Sequence, residues 1–183
     1  QKLSESMGQQ FVVDNRAGAS GVLGSELVAK APADGYTIMV HSATHLGNAH
    51  LYGAKLGYDT LKDFTGIGLL SAQPGVLTAH PSLPAKTTKE FIALAKSRPE
   101  QIFYSSSGNG SAPHLQMALL ISMAGFELVH VPYKGGVPQV TALVSGETQV
   151  SFATIGTVIA HIKVGRLRPI AVGSAKPTQT LPG

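Results

Sequence analysis

The sequence predicts an α/β fold, because strand-like and helix-like runs alternate along most of its 183 residues in the pattern of a mostly parallel sheet. Two further observations support this. Hydrophobic residues make up 43% and charged residues 13%, enough for a sizeable core, while 21 glycines and 11 prolines supply the turns that such alternation needs. The pattern repeats on either side of residues 98–101. It therefore divides the chain into lobe 1 at 1–98, a hinge at 99–101 and lobe 2 at 102–168, with 169–183 crossing back toward the first lobe.

The elements follow in order. "QKLSESMGQQ" reads as the second half of an amphipathic helix, with Leu3 and Met7 one turn apart and Gly8 as its stop. Phe11 to Val13 reads as a short buried strand closed by Asp14 and Asn15. Gly18, Gly21 and Gly24 then lead into a helix stopped by Pro32. Their spacing is G-x-x-G-x-x-G rather than the dinucleotide G-x-G-x-x-G, so a nucleotide site is not encoded here. Tyr36 to Val40, entered by the turn Asp34-Gly35, is apolar enough for a strand covered on both faces. Its end, His41-Ser42-Ala43-Thr44-His45, is a small polar cluster in which the two histidines read as hydrogen-bonded structural residues rather than metal ligands. Strand-like runs at Gly66 to Leu70 and Gly75 to Ala79 follow, then a surface connection at Pro81 and Pro84.

Thr88 begins a helix, N-capped by Thr87 or Thr88, that presents Phe91, Ile92 and Ala95 on one face and stops before Pro99. Gln101 to Tyr104 is a strand. After the loop "SSSGNGSAP" comes an apolar helix closed by Gly125, then the strand "ELVHVPY", a glycine-entered helix, and the strand "TQVSFATIG". The final "TQTLPG" stops in a turn, and both ends of the sequence read as interrupted.

Several function classes are poorly supported. The net charge of +4 comes from scattered lysines and arginines, with no basic run interleaved with aromatics, so nucleic acid is not an expected partner. No apolar stretch approaches the roughly 20 residues of a membrane span. With no cysteine there is neither a disulfide framework nor a thiolate metal site.

The loop from Tyr104 to Leu115, "YSSSGNGSAPHL", carries the most chemistry. A nucleophile elbow needs G-x-S-x-G, and no serine here has a glycine two residues away on both sides. Ser111 and His114, three apart at a helix start, remain the basis of an alternative reading as a serine hydrolase. A phosphate loop needs Lys then Ser or Thr after its last glycine, whereas Ser111-Ala112-Pro113 follows Gly110. Glycines that admit a ligand to the backbone, serine hydroxyls and a helix start suit a carboxylate. The polar strand ends at 42–44, 105–111, 133–136 and 154–157 are expected to converge on one cleft.

The ordered motifs "VVDNRAGASGVLGSELVAKAPADGYTIMV", "LYGAKLGYDTLKDF", "YSSSGNGSAPHLQMALL", "HVPYKGGVPQVTALVSGE" and "GRLRPIAVGSAKPTQTLPG" resemble the Bug-type solute-binding receptors of tripartite tricarboxylate transporters across essentially the whole chain. The resemblance implies a type II periplasmic-binding-protein fold, two α/β lobes closing on a small mono- or dicarboxylate and delivering it to the permease subunits in the membrane. It implies a periplasmic monomer with no catalysis and no cofactor or metal. Such receptors begin with an export signal, a first strand and a Pro-x-Gly-Gly loop, and continue beyond "LPG". The first strand and the C-terminal part of lobe 1 are therefore expected to be absent here. Gln149 stands where these receptors often have aspartate, read as a surface change.

Within that frame, Ser42, Ala43 and Thr44 are the expected ligand contacts from lobe 1, and Ser106, Ser107, Gly108, Gly110 and Ser111 those from lobe 2. His114 is expected at the same site, bracing the loop. Tyr133 and Gly135 would line one wall, and Thr154 and Ile155 would close it. With no arginine evidently placed, neutral donors and dipoles would hold the carboxylate.

Overall fold

The computed structural model describes residues 2–174 and 181. Its elements run α1 (Lys2–Met7), α2 (Val22–Ala29), α3 (Thr44–Tyr52), β1 (Gly75–Ala79), α4 (Thr88–Ser97), β2 (Phe103–Ser106), α5 (Ala112–Ala124), β3 (Val129–Pro132), α6 (Gly136–Ser145), β4 (Val150–Thr154), α7 (Ile155–Lys163) and β5 (Arg168–Val172), with 3-10 turns at Ala19–Gly21 and Gly53–Lys55.

Local chemistry sets the helix ends. Thr87, in an extended conformation, accepts the Glu90 N–H at 3.2 Å, and the Glu90 carboxylate reaches back to the Lys86 N–H at 2.6 Å, so orphan donors at the start of α4 are satisfied by side chains. At the other end of α5, Gly125 adopts φ 65°, a left-handed stop that a side chain would resist. Pro113 sits in the first turn of α5, where a missing N–H costs nothing.

The five strands form one sheet in the order β3-β2-β4-β1-β5. β2 runs parallel to β3 and β4, but β1 lies antiparallel to both β4 and β5. The sheet is therefore mixed rather than mostly parallel. Alternate residues face opposite ways along a strand. Leu77, Ala79, Tyr104, Val150 and Phe152 pack with Phe91, Ala95 and Met117 of α4 and α5, while Ala153 packs with Val140, Leu143 and Val158 of α6 and α7. Two helical layers thus cover the sheet. Between sheet and α6, the buried Gln139 donates to Ser151 Oγ and to the Phe152 carbonyl, both at 2.7 Å.

Four expectations are corrected. Phe11 to Val13, Tyr36 to Val40 and Gly66 to Leu70 form no ladder. Val12, Tyr36 and Ile67 are 84%, 93% and 85% exposed, because no described segment lies alongside them to share hydrogen bonds or cover their apolar side chains. The expected boundary at 98 does not divide the sheet either. All five residues of β1 are buried between β4 and β5, since "GVLTA" is a strand that needs cover on both faces. Part of the expected return crossing at 169–183 belongs to β5, paired with β1, and residues 175–180 and 182–183 lie outside the described residues. Lastly, Gln149 is structural: its side chain accepts the Phe103 N–H at 2.8 Å while its backbone carbonyl accepts the His80 N–H at 2.9 Å.

Candidate functional site

Because β2, β3 and β4 are parallel, their carboxyl ends at Ser106, Pro132 and Thr154 lie along one edge of the sheet, where α/β proteins gather ligands. Facing the first two of these ends are the turn at Ala19–Gly21 and the start of α3. Between them lies an open cleft of about 1540 Å³.

Seven of the expected residues line that cleft: Ser42, Thr44, Ser107, Gly108, Ser111, Tyr133 and Gly135. Ala43, Ser106, Gly110, His114, Thr154 and Ile155 are not among its lining residues. Each has a physical reason to stand back. Ala43 is the backbone cap of α3, and Ser106 is fully buried beneath the loop. Gly110 turns its N–H to His114 Nδ1 at 2.9 Å, and a Cβ on it would fall on Leu51 Cδ1. Thr154 caps α7, its carbonyl accepting the Thr157 hydroxyl at 2.7 Å, and Ile155 is buried beneath it.

The loop's amides are largely spoken for. Gly108 N–H donates to Ser106 Oγ at 3.2 Å, Ser111 N–H to the Gly108 carbonyl at 3.1 Å, and Ala112 N–H to Thr44 Oγ1 at 3.2 Å. The start of α5 is thus capped by a threonine from the facing element, not by Ser111, whose hydroxyl is buried and has no hydrogen-bond partner. A buried hydroxyl with nothing to bond is costly unless something arrives to pair with it. No hydrogen bond joins Ser111 to His114, and His114 Nδ1 already holds the Gly110 N–H. The nucleophile–base pair of a hydrolase is not assembled.

The turn at 18–21 was not expected to take part. Ala19 and Ser20 adopt φ 45° and 54°, a left-handed region that L residues enter at a cost, between Gly18 and Gly21, also at positive φ. Ser20 Oγ donates to the Asn109 carbonyl at 2.5 Å, and the fully buried Asn48 holds the Ser20 carbonyl at 3.2 Å. The available signal was the glycine triplet, which fits a turn approached closely by other backbone even though it fits no nucleotide pattern. Arg16 also lines the cleft, its Nε paired with Asp14 at 2.8 Å, so a cation does stand at this wall.

Behind the loop, His114 and His130 stack face to face with ring centroids 4.2 Å apart and planes 3° apart, and Tyr104 continues the stack on His130 at 4.7 Å. Burial lowers the His114 pKa; burial and the neighbouring His114 lower that of His130 to about 4. Tyr133 donates its hydroxyl to Glu147 at 2.7 Å, and burial together with that carboxylate pushes its pKa up to about 12. Both imidazoles and this phenol are therefore neutral at neutral pH.

The comparisons with known proteins agree with one another. The family described as "Tripartite tricarboxylate transporter family receptor" (TctC) matches residues 1–183. The chain is 33% identical over 181 residues to protein BugT of Bordetella pertussis, covering 98% of this chain and 56% of that protein. The solved structure of R. palustris Rpa4515 with adipate superposes with a TM-score of 0.91 at 38% identity, over 96% of this chain and 58% of the other. MatC (Rpa3494) from Rhodopseudomonas palustris with bound malate gives a TM-score of 0.86 at 29% identity, over 96% and 60%. The chain spans little more than half the length of each of these proteins.

Proposed function

The chain belongs to the tripartite tricarboxylate transporter receptor family, and from that premise we propose that it forms part of a periplasmic receptor that captures a small mono- or dicarboxylate in the cleft and passes it, unchanged, to permease subunits in the membrane. Two of the solved relatives hold adipate and malate, which are dicarboxylates. Among the described residues no helix is long and apolar enough to cross a membrane.

One observation carries the reading. The cleft wall presents a buried Ser111 hydroxyl without a partner beside the hydroxyl of Ser107, on a loop whose shape is fixed by its own hydrogen bonds. Preorganised donors of this kind bind an anion without reorganising at the moment of capture. Ser42 and Thr44 approach from the facing element, and Tyr133 and Gly135 form a side wall. Gly110, Ser106 and His114 act from behind, by fixing the loop. Arg16 is already paired with Asp14, which lines the same cleft, so the pair adds no net long-range charge and the neutral donors carry the recognition. A receptor needs no residue whose chemistry turns the ligand over, and it works as a monomer that opens and closes.

The test is a thermal-shift and calorimetric panel of mono-, di- and tricarboxylates on the full-length protein, with an ester substrate alongside. Binding of a dicarboxylate with no ester hydrolysis is the expected result. Hydrolysis abolished in both Ser111→Ala and His114→Ala would overturn it.

A further inference from the structure

We propose that His114 and His130 act as one positioning brace that holds the serine loop in its binding shape while both imidazoles are neutral, and that releases the loop when the pair takes up a proton. The inference rests on the receptor reading above and assigns that site its control by acidity.

The geometry is specific. The rings come from different elements, His114 from the first turn of α5 and His130 from β3, and lie parallel at 4.2 Å, closed on the far side by Tyr104 of β2. Each holds the loop at a different point: His114 Nδ1 takes the Gly110 N–H at 2.9 Å, and His130 Nε2 lies 2.7 Å from Ser106 Oγ. Ser106 Oγ in turn accepts the Gly108 N–H at 3.2 Å and lies 3.1 Å from the Gly108 carbonyl.

Counting protons fixes the tautomers. Ser106 has one hydroxyl proton, and the Gly108 carbonyl can accept but not donate, so that contact requires the proton. His130 must then donate its Nε2–H to Ser106 Oγ. For His114, accepting an amide proton at Nδ1 requires the ring proton on Nε2. Both rings are neutral Nε2–H tautomers in this arrangement. A further proton on His114 can go only to Nδ1, where it would oppose the Gly110 N–H, donor against donor. A further proton on His130 goes to its Nδ1 and sets a cation against the His114 ring at 4.2 Å. Either event loosens the segment from Ser106 to Gly110, of which Ser107 and Gly108 line the cleft.

The titratable groups facing the pair are Tyr104 and the other imidazole. Tyr104 stays neutral, since burial raises its pKa, and among the described residues no carboxylate shifts either histidine. The sign follows. Both folded-state pKa values are lowered from 6.5, so the brace is intact at neutral pH and is lost as pH falls below 6.5, His114 titrating before His130.

Two isosteric replacements separate titration from bracing. His114→Asn places Oδ1 near the position of Nδ1 and still accepts the Gly110 N–H; His130→Gln places an amide nitrogen near Nε2 and still donates to Ser106. Neither titrates. The first measurement is nitrogen-15 NMR of the full-length protein without ligand. Nε2–H tautomers for both rings at pH 7, and Gly108 and Gly110 amide resonances that move with the imidazole titration in wild type but not in the double variant, are expected. A Nδ1–H tautomer on His114, or the same amide response to pH in the double variant, would overturn the brace. The second is adipate affinity at pH 7.5 and 5.5. Proton-linked release of one site predicts a fall of up to about tenfold per pH unit in wild type beyond that in the double variant, in which the titration of adipate itself is identical. Equal falls would overturn the release step. Absence of adipate binding at both pH values, with the loop amides behaving as expected, would count against the receptor reading instead.

Discussion

Ser20 and Asn109, eighty-nine positions apart in the chain, meet across the cleft through a 2.5 Å bond from hydroxyl to carbonyl. With Thr44 Oγ1 holding the Ala112 N–H, this ties the facing segment to the serine loop from two sides. Ser20 makes its bond from a left-handed conformation, φ 54°, so the contact is bought against backbone strain. Ser20→Ala keeps the strain and loses the bond, and should destabilise by about 0.5–1.5 kcal/mol. Ser20→Gly loses the bond but relieves roughly 1–2 kcal/mol of strain and should come out near wild type. Urea unfolding of the two variants decides it; equal losses would show that the conformation carries no strain.

Gly110 is required by shape rather than by access of a ligand to its amide. At φ 73° a side chain is strained, and its Cβ would meet Leu51 Cδ1. Gly110→Ala should therefore lower stability by more than the roughly 1–2 kcal/mol of backbone cost alone. Adding Leu51→Ala should restore the excess but not the backbone part, since Leu51 is 48% exposed and truncating it costs little. Additive losses in the double variant would show that the two residues do not meet.

Ser111 offers a test in which stability and affinity part company. Its hydroxyl is buried and unpaired, so Ser111→Ala should leave the ligand-free protein as stable as wild type or slightly more so. Carboxylate affinity should fall by about 0.5–3 kcal/mol, depending on whether the lost partner is charged. Thermal unfolding without ligand and calorimetry with adipate supply the two numbers. A clear loss of ligand-free stability with unchanged affinity would make the hydroxyl structural.

Gln139 is the corresponding test of the sheet. Replacing it by leucine removes two buried 2.7 Å bonds, while Ser151 Oγ keeps its bond to the Ser105 carbonyl and the Phe152 carbonyl keeps Ser151 Oγ, so it should cost about 0.5–1.5 kcal/mol per lost bond in chemical unfolding with little effect on the cleft.

Much of this was readable locally. The ends of α4 and α5 follow from Thr87, Glu90, Pro113 and Gly125, each of which acts on backbone groups a few residues away. The serine loop announced itself by composition. What the sequence could not express are relations between distant segments. A strand exists only where a second segment shares its hydrogen bonds, so apolar runs at 11–13 and 36–40 looked like strands without being so, while β5 went unremarked behind Pro169, a residue tolerated because this is an edge strand. The same limit hid Ser20, whose partner is not foreseeable from its neighbours, and hid the role of His130, which lies outside the loop it supports.

The position of β1 has a consequence for how the protein assembles. Among the described residues it is the earliest strand of the sheet, yet it pairs through Val76 with Ala153 on one side and with Val172 on the other. During synthesis this apolar strand emerges well before either neighbour exists, while β2, α5 and β3 can close as a local unit. Closing so long a loop makes its insertion a late and slow event. Until residue 154 has emerged β1 has neither neighbour, and until residue 172 has emerged its second edge stays open, so the nascent chain carries an apolar strand edge that chaperones must shield or aggregation will claim.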